Sequence, residues 1–245
     1  MPSGSRAPAV LVSVAILVGN AILSGIGCRH GAPANDALTD DALAAADTRP
    51  AATAGKATYY AADGSGNCSF NPSPADLMVV ALSTPDYRGS LVCGACVEVK
   101  GPDATIVVRV VDRCPGCDAG HIDLSEQAFA KIAEPVRGVV PVEWRHVACD
   151  VTGPIVYRFK EGSSQWWTAV QVRNTRYAVE KLEAKVDGVY RSIERLSYNY
   201  FVAADGLGPG PYDLRVTDVL GHVLEDRGIA LEVGAEVSGG AQFPR

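Results

Sequence analysis

From residue 55 onward the chain reads as a succession of short strands separated by turn residues. Residues 55–60 open the series. Cys96-Val97-Glu98-Val99-Lys100 alternates as a half-buried strand does, Gly101-Pro102-Asp103 turns the chain, and the β-branched run 105–111 follows as a buried strand. A helix is predicted over 125–133. Ser125 can cap it, Leu124 and Phe129 can staple across the cap, and Pro135 stops it. A further strand covers 139–147. Beyond residue 150 the helical signal almost disappears. Strands are predicted at 155–159, 167–174, 179–186, 189–196, 212–219 and 222–224, with Asp187-Gly188 between two alternating runs as a hairpin signal. Gly206-Leu207-Gly208-Pro209-Gly210 is a turn and not a phosphate loop, because no strand-to-helix transition follows it. The pattern predicts a mainly β protein: a closed barrel over 55–150, then an antiparallel sandwich of about seven strands over 151–245. Thr152-Gly153-Pro154 marks the junction.

Ahead of the strands the pattern changes. Residues 9–26 are mostly apolar behind a single early charge, Arg6, and Gly25-Ile26-Gly27-Cys28 closes the segment with small residues. This is an export signal over 1–28, either a plain secretory signal or one in which Cys28 is acylated as in a lipoprotein. Gly19-Asn20 and Gly25 interrupt the apolar run, which argues against a permanent membrane span. Residues 29–54, rich in Ala, Asp, Pro and Thr, read as a spacer. Both forms of the signal put the mature chain outside the cytoplasm.

Charge and cysteine usage narrow the function classes. The 245 residues carry a net charge of −6 and no long Lys/Arg run, which argues against nucleic acid and anionic membrane surfaces as partners. Of seven cysteines, six fall between 68 and 149: Cys68, Cys93, Cys96, Cys114, Cys117 and Cys149. An even set in an exported chain suggests three disulfides. The CxxC spacings at 93/96 and 114/117 also fit a zinc site, but there is no Cys/His-dense knuckle.

Candidate chemistry concentrates around the end of the 105–111 run. Asp112 and Asp123 flank a Cys-Pro-Gly-Cys clip and His121, between a buried strand and a helix cap, where a substrate could reach them. Paired carboxylates perform acid and base work on glycosidic bonds, and they also serve as turn and cap residues. The adjacent indoles Trp166 and Trp167 can stack on the apolar faces of sugar rings or fill a core. In a regular strand they point to opposite faces, so a shared surface requires a strand start or a bulge; Gly162-Ser163-Ser164 makes that plausible. Tyr198 has Tyr200 and Phe201 as equal candidates nearby, and Lys160 reads as a solvated strand end.

Several strings together resemble the bacterial expansins over nearly all of 55–245. They are Ala57-Thr58-Tyr59, Cys93-Gly94-Ala95-Cys96-Val97-Glu98-Val99, Val111-Asp112, His121-Ile122-Asp123-Leu124-Ser125, Tyr157 to Trp167 with its Glu-Gly-Ser-Ser-x-Trp-Trp core, Gln171-Val172-Arg173-Asn174, Tyr198-Asn199 and Gln242-Phe243-Pro244. The resemblance implies a six-stranded double-psi β-barrel followed by an immunoglobulin-like, cellulose-binding β-sandwich, and non-hydrolytic loosening of cell walls with no cofactor and no metal. It implies a polar groove floor of Thr58, Asp112 and Asp123, with His121 adjoining in a string close to the His-Phe-Asp of plant expansins. Trp166, Trp167 and Tyr198 match the family's aromatic binding surface, and Lys160 a flanking contact. The cysteine set, closer to plant and fungal relatives, implies Cys68–Cys93 and Cys96–Cys149 beside a Cys114–Cys117 clip.

Two departures matter. Cys114 stands where well-known bacterial relatives carry Tyr, and the chain is acidic where many expansins are basic. The barrel is also similar to that of certain endoglucanases, in which Asp123 would match the acid and an Asp directly after the Thr-x-Tyr string is the base. Here Ala61 occupies that place and Asp63 lies two residues on, so no base is placed to activate water. The expected partners are cellulose, xyloglucan or related wall glucans, with peptidoglycan as a further candidate, bound by a monomer. The rivals are a weak endoglucanase using Asp123 with Asp112 or Asp63, a peptidoglycan-cleaving enzyme of the same barrel fold, and a pure carbohydrate-binding module.

Overall fold

The computed structural model describes residues 51–245, which are organised almost wholly as strands. Six of them close a double-psi β-barrel: β1 Thr53–Tyr60, β2 Val79–Ser83, β3 Cys96–Lys100, β4 Thr105–Cys114, β5 Ile122–Ser125 and β6 Val140–Val147. Their order around the barrel is β1-β5-β2-β4-β3-β6, with β1–β5 and β2–β4 parallel. The short helix α1, Thr84–Tyr87, follows β2, and α2, Glu126–Ile132, follows β5. Ser125 caps α2, accepting from Ala128 N at 3.0 Å while its hydroxyl donates to the Leu77 carbonyl. Leu124 and Phe129 are both buried in the barrel core with Val80, Leu82, Val97, Val110 and Ile122.

Three differences from the sequence pattern have local causes. β1 begins at Thr53, inside the stretch read as spacer, because Thr53 and Ala54 pair with Trp144 and Glu143 of β6. β4 continues through Cys114, since its parallel ladder with β2 pairs Ala81 with Asp112 and Ser83 with Cys114. Residues 122–125, read as the end of a connection, are a strand held between β1 and β2. Asp112 and Asp123 are therefore strand residues, not loop-edge ones. The three disulfides are Cys68–Cys93, Cys96–Cys149 and Cys114–Cys117. Among the described residues no cluster of His, Cys, Asp and Glu is placed to hold a metal ion.

The remaining nine strands form two facing sheets. β7 Val156–Phe159, β8 Thr168–Arg173, β11 Glu194–Arg195, β12 Phe201–Ala203 and β15 Glu236–Ser238 make one, in the order β11-β12-β8-β7-β15. β9 Val179–Val186, β10 Val189–Ser192, β13 Tyr212–Asp218 and β14 Val223–Ile229 make the other, in the order β10-β9-β13-β14. Tyr157, Phe159 and Val170 share a buried core with Leu182, Leu214 and Val216. Asp187 and Gly188 both take positive φ in the β9–β10 hairpin. The run 189–196 is two strands because the chain changes sheets at buried Ile193: β10 pairs with β9 and β11 with β12. Barrel and sandwich belong to one compact unit. No described helix is long and apolar enough to cross a membrane. The export signal over 1–28 and most of the spacer lie outside the described residues.

Candidate functional site

The parallel register of β1 and β5 sets Thr58 beside Asp123. Thr58 Oγ1 donates to Asp123 Oδ1 at 2.5 Å. That hydroxyl's one proton being committed, it accepts from His121 Nε2 at 2.9 Å, which places the ring proton on Nε2. Burial and then the charge of Lys56 hold the His121 pKa below its ordinary value, outweighing Asp123 and Asp118. The loop ahead of His121 is pressed onto β1: a Cβ on Gly55 would lie 2.0 Å from the Gly120 carbonyl oxygen. Gly120 N donates to Asp86 Oδ2 at 2.7 Å, and Trp144 Nε1 donates to Gly120 O at 3.0 Å. These contacts fix where β5 starts and hence where His121 and Asp123 point.

Asp112 is held separately. Its Oδ1 accepts from Asn67 N at 2.6 Å and Arg113 N at 2.8 Å. Asp63 is tied to its own loop, accepting from Ser65 N at 2.8 Å and Ser65 Oγ at 2.6 Å, bonds that lower its carboxyl pKa. Cys114, in its clip with Cys117, presents no aromatic ring.

One residue of this floor escaped the sequence reading. Tyr60 is two positions after Thr58 on β1, on the same face by strand alternation. Its Oη is buried without a hydrogen-bond partner. Burial first, then the charges of Asp112, Asp123 and Asp63, push its phenol above the ordinary value. It is a protonated hydroxyl closed off from solvent beside three carboxylates. The signal that would have found it is the i, i+2 spacing from Thr58.

The aromatic residues of the sandwich sit at turns. Ser164 and Trp167 form an isolated antiparallel bridge, Ser164 N donating to Trp167 O at 2.7 Å, so residues 164–167 make a tight turn immediately before β8. The strict alternation that would send the two indoles to opposite faces does not apply there. Trp166 is 74% exposed and Trp167 half-buried. The 206–208 turn braces this one from beneath: Gly208 N donates to Gln165 O at 3.1 Å, and a Cβ on Gly206 would meet the same oxygen at 2.0 Å. Tyr198, half-buried in the β11–β12 turn, lies with its ring 5.9 Å from that of Tyr200. Tyr200 and Phe201 are core residues, which leaves Tyr198 as the accessible ring of the three. Lys160, at the end of β7, places its ammonium 5.6 Å from the Tyr200 ring centre.

The architecture defines the class first: a double-psi barrel with a polar strand-borne floor, continuous with a two-sheet sandwich that exposes indole at a turn. The family described as lytic transglycolase matches residues 52–144, the barrel strands. Expansin-YoaJ of Bacillus subtilis (strain 168) is 40% identical over 177 residues, spanning 70% of this chain and 76% of that protein. The crystal structure of apo-Clavibacter michiganensis expansin aligns with a TM-score of 0.75 at 33% identity, covering 80% of this chain and all of that one. An aspartate-to-asparagine mutant of that expansin, solved in complex with cellohexaose, aligns equally well. The chain belongs to the bacterial expansins.

Proposed function

We propose that this chain is an extracellular wall-loosening protein. It holds cellulose and related glucans on Trp166, Trp167 and Tyr198, with Lys160 at the flank. It disrupts polysaccharide contacts with the groove of Thr58, Asp112, Asp123 and His121, cutting no bond. The observation that carries this is the exposed indole of Trp166 on a braced turn. A large apolar ring kept in water in that way marks a binding surface, and the Clavibacter relative crystallised with a cellulose oligomer supplies the ligand class. The chemistry supports the absence of hydrolysis: Ala61 stands directly after Thr58-Tyr59-Tyr60, where the similar endoglucanases carry their base, and Asp63 is tied to its own loop by Ser65. Xyloglucan and peptidoglycan are secondary partners on this reading, the acting form is a monomer, and the 1–28 segment directs export with or without acylation at Cys28. The barrel and sandwich act as the domains 55–150 and 151–245.

The test is mechanical: extension of a clamped cellulosic wall, with reducing-end release assayed in the same sample. Extension without sugar release is expected, and release that disappears in Asp123→Asn would establish an endoglucanase instead. Truncating a central aromatic contact costs about 2 kcal/mol, roughly 30-fold in affinity. Trp166→Ala with Trp167→Ala should therefore abolish cellulose pull-down, while Asp123→Asn keeps pull-down and loses extension. Full pelleting of the double variant would remove the platform from the site.

A further inference from the structure

One short barrel loop touches both halves of the proposed surface. Gly66 lies flat on Asp112, where a Cβ would come within 2.4 Å of the carboxyl carbon. The next amide, Asn67 N, is one of the two donors that hold Asp112 Oδ1. Cys68 N then donates to Val111 O at 3.0 Å, pinning the loop to β4.

Asn67 and Cys68 also face the sandwich. Asn67 Nδ2 donates to Ser197 O at 2.8 Å and to Tyr87 Oη at 2.9 Å, and Tyr87 Oη itself donates to Ser197 O at 3.0 Å. Cys68 O accepts from Gln171 Nε2 at 2.8 Å and from Asn199 Nδ2 at 3.2 Å. Ser197 and Asn199 are the two neighbours of Tyr198. Cys68, Gln171 and Asn199 are buried, so the two bonds to Cys68 O are shielded from water, while those of Asn67 and Tyr87 to Ser197 O lie at the edge of the contact. One turn further along, Ser90 Oγ donates to Leu196 O at 2.8 Å. The turn that presents Tyr198 is thus suspended from the barrel on both sides, by the loop that also aims Asp112.

We infer that Gly66-Asn67-Cys68 is a coupling element that sets the Tyr198 end of the aromatic platform in register with Asp112, and that Asn67 and Tyr87 are positioning residues for glucans long enough to reach both. Neither side chain needs to touch the sugar. A ligand reaching platform and groove gains from the second contact only as far as the two are held at a fixed spacing. A ligand confined to the platform gains nothing from it. The inference rests on the proposed glucan-binding reading.

The experiment titrates the full chain with cellotriose and cellohexaose by calorimetry and reports the ratio of the two dissociation constants beside the thermal midpoint. Wild type should bind the hexaose more tightly. Asn67→Ala, which keeps the backbone donor to Asp112 and deletes the bonds to Ser197 and Tyr87, should reduce that ratio roughly tenfold with cellotriose affinity unchanged. Tyr87→Phe keeps the packed ring and removes only the hydroxyl, so it should shift the ratio the same way and settles the matter should Asn67→Ala not fold. The inference is overturned if well-folded variants keep the wild-type ratio, if both ligands weaken by the same factor, or if wild type shows no preference for the longer chain. Trp166→Ala with Trp167→Ala separates the two layers of the argument. Retention of both ligands by that variant would defeat the glucan reading itself, whereas loss of both with an unmoved ratio in Asn67→Ala would defeat the coupling alone.

Discussion

Replacing Tyr60 with Phe deletes one oxygen, and the structure assigns that atom an unusual balance. Tyr60 Oη is buried with no partner. A buried polar group without a hydrogen bond costs about 1–3 kcal/mol, so the substitution should leave stability unchanged or raise it by about 1 kcal/mol. For a domain of this size, that is an upward shift of about 2–4 °C in thermal midpoint. Binding should not move: Oη is closed off from solvent, so no sugar hydroxyl reaches it and Tyr60→Phe should leave cellohexaose affinity unchanged. Burial and the surrounding carboxylates push the phenol's pKa upward, so it stays protonated and the stability difference should not vary between about pH 5 and pH 8. The comparison variant is Thr58→Val, which cuts the bonds to Asp123 and His121 and strands both partners, so it should lose stability and binding together. Scanning calorimetry and oligosaccharide titration on the three proteins read both quantities. A Tyr60→Phe variant that melts lower than wild type, or that binds cellohexaose several-fold more weakly, would refute the reasoning.

Two more predictions concern the platform and one sandwich sheet. Gly206→Ala must place a Cβ against the Gln165 carbonyl at φ +74°, whereas Gly208→Ala, at φ +84°, meets open space. Both carry the backbone strain of about 1–3 kcal/mol, but only Gly206→Ala should displace the Trp166 turn, seen as weakened cellulose pull-down and an altered tryptophan emission maximum; equal effects of the two would mean the brace is immaterial. On the β10-β9-β13-β14 sheet, hydrogen bonds from Arg215 and then Lys181 hold the Glu183 carboxyl at about 2. A carboxyl depressed by folding stabilises the protein above its unfolded value of 4.5 and ceases to do so as pH falls toward 2. The stability gap between wild type and Glu183→Gln should therefore be full near neutrality and close across that acid window, as read by urea unfolding at a series of pH values; a gap constant with pH would assign the effect to packing.

What the sequence made legible follows element length and local chemistry. Strand β3 alternates over its full length and β9 does so in sequence from Lys181 to the Asp187-Gly188 turn, so both were readable to the residue. The cap at Ser125 and the Asp187-Gly188 hairpin are short-range chemistry and were readable for the same reason. Strands β5, β12 and β15 have three or four residues each, too few for a period to show, and they exist because neighbours already in place offer a ladder. That is why Asp123 read as a loop residue. Of the candidate groove residues, Asp112, His121 and Asp123 stood out by their spacing, and Thr58, which the structure bonds to His121 and Asp123, came only with the family resemblance. Tyr60 was not singled out, since an aromatic at the end of a strand is ordinary core material until its hydroxyl is seen without a partner. Asn67 was invisible for a different reason: its partners are 20, 45 and 130 positions away.

That long-range wiring bears on how such a protein does its work on the proposed reading. A protein that separates packed chains without cleaving them has only binding free energy to spend, and each glucan it holds must be taken from a partner surface that is itself flat and extended. A flexible join between groove and platform would dissipate the second contact in conformational freedom. Here the join is fixed by buried amide-to-carbonyl bonds from Gln171 and Asn199, by a more exposed one from Asn67, and by a loop that the Cys68–Cys93 bridge ties to the barrel. The groove carboxylates are held as well, Asp123 Oδ1 by the Thr58 hydroxyl and Asp112 Oδ1 by two backbone amides. A competitor for hydrogen bonds needs acceptors that stay where they are, and on the proposed reading this rigidity is the property that lets the surface compete.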